Sequence, residues 1–213
     1  MSKKKAYLII FIVLLIDQAS KIYMKLNFHL EERIHVTDWF KIHFTENPGM
    51  AWGTVIPGEY GKLALTLFRL VAILGIGYWL WDIIKKKTPA IYTFCVSLIF
   101  AGALGNILDS VFYGIFFSES TPRTIATAFP EDGYAPVFYG KVVDMLYFPL
   151  YDGAWPSWVP IVGGEHFTFF NAIFNIADAS ISIGVILLLI FSSKAFPKEK
   201  PAPTTPLDTK ELV

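Results

Sequence analysis

Residues 170–191 read FNAIFNIADASISIGVILLLIF, an apolar run of the length that crosses a lipid bilayer. Three polar residues, Asn171, Asn175 and Asp178, interrupt its first half. An aspartate at the centre of a membrane helix costs about 2.5–3.5 kcal/mol on insertion scales. A carboxylate in such a position is therefore a candidate functional group, and other segments of the chain must supply its partners.

The composition indicates a membrane protein. Of the 213 residues, 54% are hydrophobic and only 17% are charged, whereas a soluble domain has about 25% charged residues. The formal net charge is zero, and no basic stretch alternates with stacking aromatics, so nucleic acid is not expected as a partner. The single cysteine, Cys95, excludes an internal disulfide, and the four histidines show no metal-binding spacing. We therefore expect no metal or organic cofactor.

Four apolar segments are predicted to span the membrane, each with about the 20 residues that a spanning helix needs. They cover residues 6–24, 62–84, 90–117 and 169–191. The first follows three lysines and resembles a signal peptide, but Asp17 appears where a small-residue cleavage site would stand. The first segment is therefore predicted to remain as a helix.

Lysines at residues 3–5, at 85–87 and after residue 193 flank the same side of this arrangement. By the positive-inside rule that side is cytoplasmic, so both termini lie inside and residues 25–61 and 118–168 lie outside. Alternating apolar residues around Ile42 predict a small extracytoplasmic β element. The predicted fold is an all-α membrane protein with four transmembrane helices. Residues 1–193 form one transmembrane domain, and residues 194–213, rich in proline and charge, form a disordered cytoplasmic tail.

The polar residues of these helices are expected to meet at one depth. With a rise of about 1.5 Å per residue, Asp17, Asp109 and Asp178 lie roughly 10–14 Å below the outer boundary. Two helical stripes with the spacing 4, 3, 4 contain them: Asn171, Asn175, Asp178 and Ser182 on one helix, and Gly102, Asn106, Asp109 and Tyr113 on another. Gly102 and Gly105 would allow another helix to approach closely. Facing stripes of this kind form a polar site inside a bundle.

Each polar residue also has a purely structural interpretation. For Asp17 and Lys21, at i and i+4, that alternative is a local ion pair. For Asn47 it is the Asn-Pro-Gly turn that this residue begins. For the site as a whole, intramembrane carboxylates also suit a proton-coupled transporter or channel, and a non-catalytic membrane scaffold is a third alternative. Two carboxylates in a low-dielectric site can instead share one proton, as in aspartic proteases, and Asp144 is a further candidate for such a pair.

Five motifs in order along the chain resemble the bacterial lipoprotein signal peptidases, the signal peptidase II family. They are DQASK (17–21), NPGMAWG (47–53), GALGNILDS (102–110), VVDML (142–146) and FNIADASIS (174–182). The resemblance implies an aspartyl endopeptidase of the bacterial inner membrane that cuts lipidated prolipoproteins before a diacylglyceryl-modified cysteine, among membrane lipids. It implies that Asp144 and Asp178 are the catalytic pair. It also implies that the following residues shape the site or hold substrate: Asp17, Lys21, Asn47, Gly49, Asn106, Asp109 and Asn175.

The sequence departs from the family pattern in two places. Ser110 stands where the third motif usually has an arginine, and the stretch between this motif and the last helix is longer than usual. Arg69 lies roughly 10 Å into the second predicted helix, close to the depth expected for Asp109. It either extends to the membrane interface or replaces the missing charge beside Asp109.

Overall fold

A computed structural model describes residues 1–48, 58 and 60–191. Gly49 and the predicted tail at 194–213 lie outside the described residues. Three long helices lie where the sequence predicted them: α1 (Lys3–Asn27), α2 (Gly61–Lys85) and α3 (Ala90–Leu108). A π-helical turn (Asp109–Tyr113) and a short helical turn (Gly114–Phe116) continue α3. The helices α1 and α2, and α3 together with the two turns that continue it, are each long and apolar enough to cross a membrane.

The fourth helix differs from its prediction. The helix expected over 169–191 begins only at Ile176, and α4 covers Ile176–Ile190. The preceding apolar residues form strand β6 (Ile173–Phe174), which pairs with another strand instead of extending the helix. Apolarity alone does not distinguish a buried strand from a helix. Residues 173–174 form a strand because they pair with another strand of the sheet. With 15 residues α4 is shorter than a typical span, so the structure supports three spanning helices and one shorter apolar helix among the described residues.

A four-stranded antiparallel sheet covers one end of the helices, with strand order β1-β2-β3-β6. The predicted β element supplies β1 (Arg33–Thr37) and β2 (Phe40–Asn47), and the second outer region supplies β3 (Val142–Tyr147). Thr45 pairs with Asp144, which places this aspartate in the middle of the sheet. A separate hairpin consists of β4 (Tyr151–Ala154) and β5 (His166–Phe169).

The helix α3 lies at the centre of the bundle and packs against α1, α2 and α4. A Cβ atom added to Gly102 would collide with the carbonyl oxygen of Ala177 at the start of α4. One added to Gly105 would collide with the carboxylate of Asp17 on α1. The two glycines therefore permit the close helix approach that the sequence predicted.

The first part of the second outer region packs on the end of α3. Ala135 donates its backbone N–H to the carbonyl oxygen of Gly114 over 3.1 Å, and Gly140 donates to that of Ser110 over 2.9 Å. The chain then enters β3 directly. This segment therefore covers the C-terminal end of α3 and leads to Asp144.

Candidate active site

Lys21 is a fully buried lysine whose ammonium joins two helices. Its Nζ lies 3.0 Å from Asp17 Oδ2 and 2.8 Å from Asp109 Oδ2. It also donates to Asn106 Oδ1 over 2.8 Å. An ammonium has three N–H donors, and these acceptors satisfy all of them. The local ion pair between Asp17 and Lys21 is present, but it is one half of a cluster that includes α3.

Gln18 completes this cluster and was missed in the sequence analysis. Its Nε2 donates to Asp17 Oδ2 over 3.0 Å and to Asp109 Oδ1 over 2.9 Å. Its Oε1 accepts a 3.2 Å hydrogen bond from the hydroxyl of Tyr113. The available signal in the sequence was the position of this glutamine in an apolar helix, between the candidate site residues Asp17 and Lys21. We refer to Asp17, Gln18, Lys21 and Asp109 as the anchor cluster.

The anchor cluster also holds the two elements that carry Asp144 and Asp178. Asp17 Oδ1 accepts a 2.9 Å hydrogen bond from the backbone N–H of Ala177, in the first turn of α4. Asp109 Oδ2 lies 3.4 Å from the backbone nitrogen of Val143, which donates to it from β3. The positions of α4 and β3 are therefore fixed by the same buried charges.

Two asparagines link Asp144 and Asp178. Asn175 Nδ2 donates to Asp144 Oδ1 over 2.6 Å, and Asn106 Nδ2 donates to Asp178 Oδ1 over 2.7 Å. The asparagines are joined to each other by a 3.1 Å bond from Asn175 Nδ2 to Asn106 Oδ1. Asn47 Nδ2 donates to the other oxygen of Asp144 over 3.2 Å. The structure thus brings the predicted residues 47, 106, 144, 175 and 178 together.

Asp178 lies in the first turn of α4, and not nine residues into a longer helix as the sequence predicted. Asn175 is the N-cap residue of α4, and its Oδ1 accepts the backbone N–H of Asp178 over 2.9 Å. In return Asp178 Oδ2 accepts the backbone N–H of Asn175 over 3.4 Å. This capping box satisfies two N–H groups that the helix leaves unpaired.

The two carboxylates have different surroundings. Asp144 is 2% exposed, and Asp178 is half-buried. Burial, and after it the charge of Asp178, raises the pKa of Asp144 from its ordinary value to about 7, although hydrogen bonds from Asn47 and Asn175 lower it. The proton of the pair is therefore favoured on Asp144 near neutral pH.

A cavity of about 830 Å³ opens beside Asp144. Two chain segments line it: residues 45–48 at the end of β2, and residues 168 and 170–173 between β5 and β6. Asn171, predicted to share a helical stripe with Asp178, belongs to this wall and accepts a hydrogen bond from the hydroxyl of Tyr147 over 3.0 Å. Among the described residues, no group of three His, Cys, Asp or Glu side chains could hold a metal ion.

A second buried ion pair was not visible in the sequence. The ammonium of Lys25 pairs with Glu46, and it donates to the hydroxyl of Ser120 over 2.9 Å. Lys141 lies 3.4 Å from the other carboxylate oxygen of Glu46. This group fixes β2 and the second outer region to α1, next to Asn47.

Comparisons with known proteins identify the family of this chain. A family model described as Signal peptidase (SPase) II matches residues 9–194. A lipoprotein signal peptidase of Porphyromonas gingivalis is 48% identical over 184 residues, 85% of this chain and 80% of that protein. Another, of Amoebophilus asiaticus, is 34% identical over 196 residues, 89% of this chain and 79% of that protein.

Two solved structures are also similar to this chain. One described as a bacterial membrane enzyme, determined by the in meso method at 1.9 Å resolution, has a TM-score of 0.59 at 25% identity, covering 91% of this chain and 96% of its own. A second, described in the same words at 2.3 Å resolution, has a TM-score of 0.60 at 24% identity, covering 95% and 96%, and supports the fold alone. Since the family match and these relatives extend over most of the sequence, the chain belongs to the signal peptidase II family.

Proposed function

We propose that this protein removes the signal peptides of lipidated prolipoproteins by cutting just before the diacylglyceryl-modified cysteine. Membership of the signal peptidase II family supports this proposal, as do relatives described as lipoprotein signal peptidases. The transporter alternative finds no support among these relatives.

The chemistry that we propose is that of an aspartyl endopeptidase with Asp144 and Asp178 as the catalytic pair. The observation that carries it is the junction of these carboxylates through Asn175 and Asn106 beside a cavity. Both side chains are reached by hydrogen-bond donors that fix their orientation, and the buried one holds a proton near neutral pH. A pair of carboxylic groups with one proton can provide both an acid and a base.

In the first step, ionised Asp178 takes a proton from a water molecule, and the resulting hydroxide attacks the scissile carbonyl carbon. Protonated Asp144 gives its proton to the carbonyl oxygen, so a neutral tetrahedral diol forms. In the second step, Asp178 returns its proton to the leaving nitrogen, and Asp144 takes a proton from one hydroxyl group as the carbonyl re-forms. The pair then carries the single proton with which it started.

The remaining polar residues position this pair and the substrate. Asn47 and Asn175 bind Asp144, and the anchor cluster holds β3 and the first turn of α4. We assign Gly49 to the same role from its place in the family motif alone. The signal peptide would enter the cavity between β2 and the 170–173 segment, while the lipid chains of the substrate remain in the bilayer.

We place the site at the outer face of the bacterial inner membrane, with both termini in the cytoplasm. Three helices of spanning length and the sheet at one end of the bundle support a multi-pass protein with a site at one surface. The orientation itself follows from the lysine distribution. We also propose that α4 crosses the membrane as the fourth span.

The direct test is to incubate the purified protein with a lipidated prolipoprotein peptide in mixed micelles and to identify products by mass spectrometry. We expect a single cut on the N-terminal side of the modified cysteine, and cleavage should persist in EDTA because no step uses a metal. The matched control is the same peptide with an unmodified cysteine, which should be a much poorer substrate. An intact lipidated peptide, or equal cleavage of both peptides, would contradict the proposal.

A further inference from the structure

One face of α2 turns inward, toward the site, and Arg69 is part of it. Lys62, Thr66, Arg69 and Ile73 follow the spacing 4, 3, 4 and therefore share this face. Thr66 is fully buried, and its hydroxyl donates to the carbonyl oxygen of Phe138 over 3.0 Å. Ile73 is buried against α3. Arg69 lies between these two residues and is half-buried, so its side chain starts from the packed face of the helix and not from the lipid-facing one.

The same face reaches the edge of the cavity. The ammonium of Lys62 donates to the carbonyl oxygen of Pro48 over 2.5 Å. Pro48 lines the cavity and directly follows Asn47, which binds Asp144. The ammonium of Lys62 therefore reaches the edge of the cavity that opens beside Asp144.

The charges of the proposed catalytic pair act on Arg69. Its guanidinium is attracted by Asp178 and, less strongly, by Asp144. Asp109, the partner expected from the sequence, is paired with Lys21 at 2.8 Å. We therefore assign Arg69 to the pair rather than to Asp109.

Ser110 lies in a closely packed environment. It is fully buried, and its hydroxyl donates to the carbonyl oxygen of Asn106 over 3.0 Å. Its own carbonyl oxygen accepts the N–H of Gly140. At Gly140 even an added Cβ atom would collide with the carbonyl oxygen of Asp109. The second outer region therefore packs tightly against the backbone of residues 109 and 110.

Charged groups of both signs surround the pair, and Arg69 is one of the cations among them. The charged groups that face the pair from the surrounding elements are Asp17 and Lys21 of α1, Lys62 and Arg69 of α2, Asp109 of α3, and Glu46 of β2 with its partners Lys25 and Lys141. Lys21 is shared between two carboxylates, so its cluster carries a net negative charge when both are ionised. Arg69 can then balance the single negative charge of the working pair.

We propose that Arg69 is a positioning residue that stabilises the singly ionised form of the Asp144–Asp178 pair and so sets the acidic limit of activity. The inference rests on the proposed function. An opposite charge close to a carboxylate favours its ionised form, and removing that charge delays ionisation to higher pH. The arginine acts through the two aspartates and touches no reacting atom in this mechanism.

The test is the pH dependence of kcat/KM for the lipidated peptide with Arg69→Gln, Arg69→Lys and the wild type. We expect Arg69→Gln to move the acidic limb of the pH profile to higher pH by about one unit. At a given pH on that limb, kcat/KM should then be about tenfold lower than for the wild type. Above neutrality the loss of kcat/KM should be smaller. Arg69→Lys keeps the charge and should retain the wild-type limb. The control is Lys86→Gln, which removes an exposed cation at the other end of α2 and should change nothing.

The outcomes separate the two proposals. If the wild type does not cleave the lipidated peptide, the proposed function fails and the inference fails with it. If the wild type cleaves and Arg69→Gln has an unshifted limb, only the inference is overturned. A uniform loss at every pH that Arg69→Lys shares would also overturn it, because that pattern reports a structural or substrate-binding role. Thermal unfolding of each variant in detergent identifies a variant that is lost to misfolding, and Arg69→Met, which also removes the charge, then replaces Arg69→Gln in the comparison.

Discussion

Asn175 joins Asp144 to the start of α4: its Nδ2 donates to Asp144 Oδ1 over 2.6 Å, while its Oδ1 caps the helix by accepting the N–H of Asp178. One side chain therefore has two separable tasks. The amide nitrogen orients one carboxylate of the proposed catalytic pair, and the oxygen stabilises the helix that carries the other. A substitution can remove the first task and keep the second.

Asn175→Ser tests this division. Serine is a good N-cap residue, but it is too short to supply the amide donor to Asp144. We expect Asn175→Ser to lose about a hundredfold in kcat with near-normal stability, as for the loss of one positioned acid–base contact. Asn175→Ala should lose the same activity and also about 1 kcal/mol of stability. Equal stability of the two variants in chemical unfolding would argue against the capping role.

Asp144→Asn and Asp178→Asn should each reduce cleavage by about a thousandfold or more, since asparagine cannot act as acid or base near neutral pH. The double variant should be scarcely worse than either single one, because each change already disables the unit. Cleavage rates under single-turnover conditions provide the measurement. Asp17→Asn is the comparison variant and should lose less, since its role is to hold Ala177. Near-normal turnover by either dyad variant would remove that residue from the chemistry.

The buried Asp144 should make the protein less stable as the pH rises. Its pKa in the folded state is about 7, above the ordinary value of about 3.9 in an unfolded chain. The folded state therefore binds the proton more tightly, and stability falls as the pH rises from about 4 to about 7. The full effect is on the order of 4 kcal/mol.

Asp144→Asn removes this dependence. Its melting temperature relative to the wild type should be higher at about pH 8 than at about pH 4.5, measured in detergent. Asp132→Asn, at an exposed position, should show no such difference between the two pH values. A pH-independent offset for Asp144→Asn would mean that Asp144 is not the group that titrates.

Local and compositional features of this chain could be predicted from the sequence. The helices α1 to α3 follow from length and apolarity, and the Asp17–Lys21 pair follows from its i, i+4 spacing. Helix geometry predicted that Asn106, Asp109 and Asp178 lie in one region of the bundle. Asp178, however, stands in the first turn of its helix and not in the middle of it. The spacing of Asn175 and Asp178 is itself a capping-box pattern, so this start was visible in principle.

Features that depend on distant partners could not be predicted. Ile173 and Phe174 form a strand because β3 offers them an edge, and only the tertiary fold brings β3 there. Lys25 finds Glu46 and Ser120, which lie 21 and 95 residues along the chain. A buried lysine with such partners has no local signature in the sequence.

Lys21→Met should strongly destabilise the protein. The change leaves Asp17 and Asp109 as buried carboxylates without their shared cation. Breaking a buried ion pair by removing one partner costs about 3–5 kcal/mol. Chemical unfolding in micelles should show a loss of this size, and adding Asp109→Asn should recover part of it. A loss of less than about 1 kcal/mol, as is usual for surface pairs, would show that the cluster does not hold the fold.

The last prediction concerns the direction in which the chain crosses the membrane. One buried apolar cluster contains Ala6, Ile84 and Tyr92, so the start of α1, the end of α2 and the start of α3 lie at one end of the bundle. A second cluster contains Met24 and Phe44, which places the sheet at the other end. The lysines of residues 3–5 and 85–87 belong to the first end, and the positive-inside rule makes that end cytoplasmic.

Cysteine labelling can decide this orientation after the buried Cys95 is replaced by serine. A membrane-impermeant maleimide added to intact cells should react with Arg123→Cys, which lies in the exposed part of the second outer region. It should not react with Lys87→Cys, which is exposed between α2 and α3, until the cells are permeabilised. Both variants have solvent-exposed positions, so access across the membrane is the only difference between them that matters. Labelling of Lys87→Cys in intact cells would reverse the orientation and move the catalytic pair to the cytoplasmic face.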